Sequence, residues 1–167
     1  MPERTGYLGL GSNVGDSVGH LRSALQLLPP QGVEVIAVSS TYVTEPVGEI
    51  LDQPDFLNAA IRIRTALEPE ELLDACKAVE AERGRQFDLP RHSPRPLDVD
   101  LLLLGELELQ TDRLTLPHPQ VRNRRFVLAP LLELDPDLTL PDGTVLAEAL
   151  AALPKNEQRA ERRTPLA

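Results

Sequence analysis

The chain is poor in cysteine and aromatic residues, and each shortage excludes a class of protein. It has one cysteine, Cys76, no tryptophan, and aromatic residues make up 3% of its 167 residues. A single cysteine excludes an internal disulfide and a CxxC metal or redox site. No apolar run approaches the roughly 18 residues of a membrane span, and the first residues lack the pattern of a signal peptide. These absences predict a cytoplasmic protein without cysteine chemistry.

Positive charge is also scarce, with 17 Lys and Arg against 26 Asp and Glu and a net charge of -9. This balance disfavours nonspecific binding to nucleic acid or to an anionic membrane, so the expected partners are small molecules. The exception is the stretch 83–125, which holds eight arginines and six acidic residues. Because the guanidinium group fits phosphate oxygens, this stretch predicts a ligand with several phosphates.

Hydrophobic periodicity predicts the element order β-α-β-β-α-β, followed by a helical extension. Strands are predicted at 5–11, 33–43, 56–64 and 97–104, helices at 18–28 and 69–83, and short helices at 127–134 and 145–153. This is the order of a ferredoxin-like α+β fold, a mostly antiparallel sheet with helices packed on one side. Residues 1–154 are predicted to form one domain that acts as a monomer, and the polar residues 155–167 a loosely held tail.

The sharpest chemical signal is the pair Asp98 and Asp100 inside the apolar run 97–104. Side chains alternate across a strand, so both carboxylates lie on one face, about 6.5 to 7 Å apart at the backbone. Carboxylates beside a core need cations, and such oxygen ligands suit Mg²⁺ in phosphate chemistry. Alternatively, both cap the exposed end of the strand and pair with Arg95. The arginines around the pair favour the metal site.

The glycine-rich turn at 9–16 matches neither of two known phosphate loops. Gly9-x-Gly11-x-x-Val14 lacks the third glycine of the dinucleotide fingerprint, and Gly-Lys-Ser/Thr occurs nowhere in the chain. A tight strand-to-helix turn is the simpler interpretation. A bound nucleotide would then be held by arginine and metal.

Phe56 and Asn58 lie two residues apart and so share one face of the third predicted strand. A ring beside an amide suits a planar heterocycle, which stacks on the ring and hydrogen-bonds to the amide through its edge. Phe126 could supply the opposite face. The alternative is that both phenylalanines are core residues. His118, held between two prolines, either contacts a phosphate, moves a proton or stabilises a turn.

Several segments together resemble the hydroxymethyldihydropterin pyrophosphokinase family of folate biosynthesis. The signature segment is Pro94-Arg95-Pro96-Leu97-Asp98-Val99-Asp100, and the similarity extends over about residues 5–145, including 9–16, 52–59, 80–85, 116–119 and the Asn123-Arg124 pair. The resemblance implies the ferredoxin-like fold. It also implies Mg²⁺-dependent transfer of the β,γ-diphosphate of ATP to the hydroxymethyl group of 6-hydroxymethyl-7,8-dihydropterin, with release of AMP.

The resemblance also assigns roles by position. Asp98 and Asp100 would bind two Mg²⁺ ions, and Arg85 and Arg95 would act with them in catalysis. The implied ATP-binding residues are Glu80, Arg85, Arg95, Arg113, Thr115, His118 and Arg124. The implied pterin-binding residues are Thr44, Val47, Phe56, Asn58 and Phe126. Bacterial family members often carry Trp, Arg and Tyr at the positions of His92, Phe87 and Pro119, so lid contacts in this chain are expected to differ.

A binding module of the same fold, for RNA or a regulatory ligand, is the main competing interpretation. It predicts aromatic pairs on the central strands and a basic sheet face. This chain is acidic, and its last strand carries two aspartates that repel phosphate unless a metal is present. A family member that binds pterin without turnover is disfavoured because both aspartates, Arg95, Asn58 and His118 are retained.

Overall fold

The predicted strands and helices are present in the predicted order, and the structure adds strands that the hydrophobic pattern does not predict. A computed structural model describes residues 2–45, 54–84, 96–155 and 158–166. The strands are β1 (Arg4–Ser12), β2 (Val33–Val38), β3 (Ser40–Thr44), β4 (Phe56–Thr65), β5 (Asp98–Leu104), β6 (Leu109–Gln110), β7 (Thr115–Leu116) and β8 (Ala160–Pro165). The helices are α1 (Ser17–Leu27), α2 (Pro69–Glu82), α3 (Arg125–Leu134) and α4 (Leu146–Ala152).

The main sheet has the strand order β5-β1-β4-β3-β8, with β2 also paired to β4. Each strand pair is antiparallel. The predicted ferredoxin-like α+β fold is confirmed. The predicted strand at 33–43 is divided at Ser39, whose hydroxyl accepts a hydrogen bond from the Ala60 amide at 2.9 Å and so takes the place of a backbone acceptor.

The sheet is covered on both faces, which differs from the expected one-sided packing. On one face α1 and α2 pack on β1, β4 and β5, with Leu8, Ile61 and Val99 in that core. Leu72, Cys76 and Val79, which recur at helical spacing on α2, lie there too. On the other face α3 and α4 pack on alternate residues of the same strands. The helical extension therefore supplies the second layer, because apolar residues at both alternate positions of a strand need cover on both sides.

Two helix starts are fixed by side chains that accept hydrogen bonds from backbone amides without a partner inside the helix. The Asp16 carboxylate accepts from the Gly19 amide at 3.0 Å at the start of α1. At α2, Glu68 and Glu71 form a reciprocal capping box, with the Glu68 amide 2.9 Å from Glu71 Oε1. The helix ends before Gly84, which has a left-handed φ of 84°. Among the described residues, no helix combines the length and apolar character needed to cross a membrane.

Residues 160–165 form the strand β8 beside β3, a difference from the loosely held tail expected at 155–167. The strand is mostly exposed and polar, so its sequence gives no hydrophobic alternation. Backbone pairing to β3 holds it, and Leu166 just beyond it is buried in the core. Arg22 Nε donates to the Leu166 carbonyl at 3.2 Å and fixes that anchor.

Glu133 joins α3 to β3 through three hydrogen bonds. Its carboxylate accepts from the Tyr42 hydroxyl at 2.7 Å and from the Ser40 amide and hydroxyl at 2.9 and 3.1 Å. Burial alone would raise the pKa of Glu133, but the hydrogen bonds from Tyr42 and Ser40 and the nearby Arg162 outweigh it and lower the pKa. Burial and the bond to Glu133 raise the pKa of Tyr42 to about 12.

Replacing Glu133 by glutamine is expected to lower the free energy of unfolding by about 1–3 kcal/mol at pH 7, because charge-assisted hydrogen bonds are lost. Since the folded-state pKa of Glu133 is lowered, its stabilisation is present above the ordinary glutamate pKa and is lost as the pH falls through the lowered value. Urea unfolding at pH 7 and at pH 3 should show the difference between wild type and Glu133→Gln shrinking in acid. Glu161→Gln, in an exposed ion pair on β8, is the matched control. An equal loss for both variants at pH 7 would contradict the assignment.

Candidate active site

Asp98 and Asp100 project from one face of β5, as predicted, and both are half-buried. In the register of the sheet they lie opposite Gly11 and Gly9 of β1. Both aspartates line a polar cavity at the β5 edge and a narrow slot over the sheet face that α3 covers. The two carboxylates therefore stand where the two spaces meet.

The polar cavity has a volume of about 350 Å³, within the size range of small-molecule sites. The structure brings to it six of the residues that the sequence analysis singled out for ATP or metal, namely Glu80, Asp98, Asp100, Arg113, Thr115 and His118. Lys77, one turn before Glu80 on α2, also lines the cavity. The sequence analysis missed this lysine, although a residue at i−3 from Glu80 lies on the same helix face.

Glu80 is buried, with 3% of its surface exposed, and its carboxylate contacts the backbone of β5. Glu80 Oε2 accepts from the Val99 amide at 2.7 Å. Val99 lies between the two aspartates, so this bond joins α2 to the segment of β5 that carries them. The resemblance assigns Glu80 to the nucleotide. The structure shows that Glu80 also binds the backbone of β5.

His118 lines the same cavity and is half-buried. Burial lowers the pKa of its imidazole, Arg124 lowers that pKa further, and Asp98 partly opposes the shift. Nδ1 accepts from the Gln120 amide at 3.1 Å, so in the neutral ring the proton is on Nε2. The His118 amide donates to the Leu102 carbonyl at 2.9 Å, which fixes the ring beside β5. His118 can thus donate one hydrogen bond into the cavity.

Arg113 bounds the cavity and is tied to α2 by two acids. Its guanidinium lies 2.5 Å from Asp74 and 3.6 Å from Glu70, and the hydrogen bond with Asp74 raises its pKa. Both partners are on the exposed side of α2. A nucleotide would have to share this guanidinium with them.

Asn58 and Phe126, two of the three residues that the sequence predicted for a planar heterocycle, line the slot. Asn58 is buried, and its Nδ2 donates to Thr44 Oγ1 at 2.5 Å. Phe126, in the first turn of α3, lines the slot, and the Arg124 guanidinium lies 5.5 Å from its ring centre. A Cβ built on Gly11 would lie 3.8 Å from the Phe56 ring, which places that ring at the same end of the sheet.

In this conformation the slot has a volume of about 30 Å³, room for about one water molecule. A bicyclic ring needs a wider space. Entry of such a ligand therefore requires the Phe126 side chain to turn away from Asn58.

Three of the candidate residues, Val47, Arg85 and Arg95, lie outside the described residues, as do His92 and Phe87. In the part of the chain that the structure describes, no group of three or more His, Cys, Asp or Glu side chains could hold a metal. Asp98 and Asp100 alone still fit Mg²⁺, which is commonly bound by one or two carboxylates together with waters and substrate phosphates.

Comparisons with known proteins show which family the chain resembles. A family model described as 7,8-dihydro-6-hydroxymethylpterin-pyrophosphokinase matches residues 7–136. The chain is 46% identical over 151 residues to 2-amino-4-hydroxy-6-hydroxymethyldihydropteridine pyrophosphokinase of Pseudomonas aeruginosa, covering 89% of this chain and 91% of that protein. It is 45% identical over 157 residues to the protein of the same name in Methylorubrum extorquens, covering 93% and 98%.

Longer proteins also match in part. The chain is 46% identical over 127 residues to a folate synthesis bifunctional protein of Arabidopsis thaliana, covering 76% of this chain and 26% of that protein. A solved HPPK-DHPS in complex with substrates has a TM-score of 0.70 at 12% identity, and Plasmodium falciparum HPPK-DHPS with pteroate has 0.71 at 14%. These alignments cover 91% and 90% of this chain but 43% and 42% of those chains. At such identity the likeness supports the fold alone.

Proposed function

Because the chain belongs to the 7,8-dihydro-6-hydroxymethylpterin-pyrophosphokinase family, we propose that it transfers the β,γ-diphosphate of ATP to 6-hydroxymethyl-7,8-dihydropterin in folate biosynthesis. The hydroxymethyl oxygen forms a bond to the β-phosphorus as the bond between that phosphorus and the α,β-bridging oxygen breaks. The products are the pterin diphosphate, AMP and the proton released from the hydroxymethyl oxygen. The observation that carries the proposal is that the polar cavity and the slot lined by Asn58 and Phe126 meet at Asp98 and Asp100.

The polar cavity is the proposed site of ATP. Phosphoryl transfer depends mainly on positioning and on neutralising charge. His118 Nε2 is placed to donate to a phosphate oxygen, and Lys77 brings a positive charge to the same wall. Arg85, Arg95 and Arg124 are proposed as further phosphate contacts by their positions in the family signature.

Asp98 and Asp100 are the proposed ligands of Mg²⁺. When bound, the metal would neutralise the charge of the triphosphate and favour attack at phosphorus. The chain contributes the placement of the two carboxylates: pairing with β1 and the Glu80 bond to Val99 hold this part of β5 in position. The two side chains then face both proposed substrates.

The slot is the proposed site of the pterin. Asn58 reads the edge of the ring, and Thr44 fixes which way the Asn58 amide points, because its hydroxyl accepts from Nδ2. Phe56 and Phe126 are proposed to stack on the two faces of the ring. Val47 is proposed for the same pocket by its position.

The proposal is tested by incubating the purified chain with ATP, Mg²⁺ and 6-hydroxymethyl-7,8-dihydropterin and separating the products by chromatography. AMP and pterin diphosphate are expected in equal amounts. Excess EDTA is expected to stop turnover, and added Mg²⁺ to restore it, because the two aspartates provide only part of the metal's ligands. Formation of ADP instead of AMP would contradict the proposed transfer, and full turnover in EDTA would contradict the metal requirement.

A further inference from the structure

Arg159, just before β8, joins the ends of three neighbouring strands. Its backbone amide donates to Glu45 Oε1 at 3.0 Å, and its guanidinium donates to Asp55 Oδ2 at 3.0 Å. Glu45 follows the last residue of β3, and Asp55 precedes the first residue of β4. Arg159 therefore fixes the spacing of β3 and β4 at the end where Thr44 and Asn58 meet.

Gln158, the preceding residue, holds the start of α3. Its Oε1 accepts from the Arg125 amide at 2.9 Å, at the first residue of that helix. The helix has no side-chain cap of its own from Arg124, so Gln158 supplies the acceptor from a distant part of the sequence. Gln158 has a left-handed φ of 53°, a backbone conformation that residues other than glycine seldom adopt.

These two neighbouring residues thus contact the segments that flank the slot on both sides. On one side, Arg159 binds Glu45 and Asp55 at the ends of β3 and β4, the strands that carry Thr44, Phe56 and Asn58. On the other side, Gln158 grips the first turn of α3, which carries Phe126. The family model matches residues 7–136, so both residues lie beyond the range of that model.

The attachment of β8 itself does not depend on them. Further along the strand, Thr41 Oγ1 donates to the Thr164 carbonyl at 3.0 Å, and Arg162 lies 3.5 Å from Glu133. Leu166 is buried in the core beyond the strand. The contacts of Gln158 and Arg159 are additional to this attachment and are directed at the slot.

We propose that Gln158 and Arg159 are positioning residues for the pterin, setting the separation between the ends of β3 and β4 that carry Thr44 and Asn58 and the first turn of α3 that carries Phe126. The inference rests on the proposed function, since it concerns the pterin side of that site. It adds a second requirement for pterin binding: the residues that contact the ring must be held at a fixed spacing by a segment that does not touch it.

Arg159→Ala and Gln158→Ala are the informative variants. The Arg159 side chain is 60% exposed, so its ion pair adds little to stability, and the melting temperature should change by no more than a few degrees. The Kd and KM for the dihydropterin are expected to rise about 3- to 10-fold in each variant, since one positioning hydrogen bond is lost. The KM for ATP should stay within about twofold of wild type, because neither residue is placed at the polar cavity.

Matched controls separate positioning from general damage. Arg163→Ala removes an exposed arginine of β8 whose partner is Glu161 at 3.4 Å, and it should leave both KM values unchanged. Gln158→Glu keeps an acceptor oxygen for the Arg125 amide and should restore wild-type pterin binding. Asp55→Ala should raise the pterin KM as Arg159→Ala does, and the double variant should be no worse than either single one.

Unchanged pterin affinity in both alanine variants would overturn the inference. Parallel changes in pterin and ATP constants together with a lowered melting temperature would also overturn it, since they indicate a structural role only. Pterin affinity is measured by fluorescence titration independently of turnover. A wild-type chain that binds pterin but forms no AMP would therefore contradict the proposed function while the variants still decide this inference.

Discussion

Replacing Asp100 by asparagine is expected to lower kcat by about 1,000-fold or more, and Asp98→Asn should have an effect of similar size. The substitution keeps the shape of the side chain and removes the charge on which divalent-metal binding depends, a loss of several kcal/mol in the transition state. The core side of β5 stays intact, because Val99 and Leu101 point to the opposite face and remain buried. The kcat is measured by AMP release at saturating Mg²⁺.

Dihydropterin binding without nucleotide should stay within about threefold of wild type in the same variants, because Asn58 and Thr44 keep their contact. Glu106→Gln is the matched control, since Glu106 is exposed in the turn directly after β5. It should leave kcat unchanged. A kcat for Asp100→Asn close to that of Glu106→Gln would contradict the metal assignment.

Gly11→Ala is expected to raise the KM for the dihydropterin about 10- to 100-fold. This is the size of effect expected when one or two hydrogen bonds to the edge of the ring are lost. A Cβ at position 11 would lie 2.8 Å from Asn58 Oδ1. The Asn58 amide is buried and bound to Thr44, so it has to turn away or push the strands apart. Either movement misaligns the group proposed to read the pterin.

Gly9→Ala provides the comparison for this prediction. Gly9 lines the same slot two residues earlier, but the nearest atoms to a Cβ there belong to the Leu102 side chain, at ordinary contact distances of 3.4 Å and more. We expect a KM within about threefold of wild type for this variant. Equal effects of the two substitutions would mean that added bulk in the slot, and not displacement of Asn58, controls pterin binding.

The sequence predicts the parts of the fold that depend on local pattern. Alternation in β4 and the helical spacing of Leu72, Cys76 and Val79 place those elements correctly, since each buries one face. It does not reveal the division at Ser39, where a side chain replaces a backbone acceptor. Nor does it reveal β8, which is held by backbone pairing and one buried leucine.

In the candidate site, too, the sequence predicts some residues and not others. Asp98 with Asp100, and Phe56 with Asn58, are visible from the sequence because residues two apart on a strand share a face. Contacts between distant segments are not visible: nothing near Glu80 indicates that it accepts from the Val99 amide. For the same reason, Lys77 and the acids beside Arg113 become apparent only once α2 is placed against the cavity.

The contacts around β5 also bear on solubility, because β5 is the first strand in the order of the main sheet. Unpaired amides and carbonyls along such an edge are a template for pairing with another molecule and for aggregation. Here the Val99 amide donates to the Glu80 carboxylate, and the Leu102 carbonyl accepts from the His118 amide. Groups that line the proposed ATP cavity thus also shield the edge from a second copy of the chain. Substitutions at Glu80 therefore need to be assessed for self-association as well as for turnover.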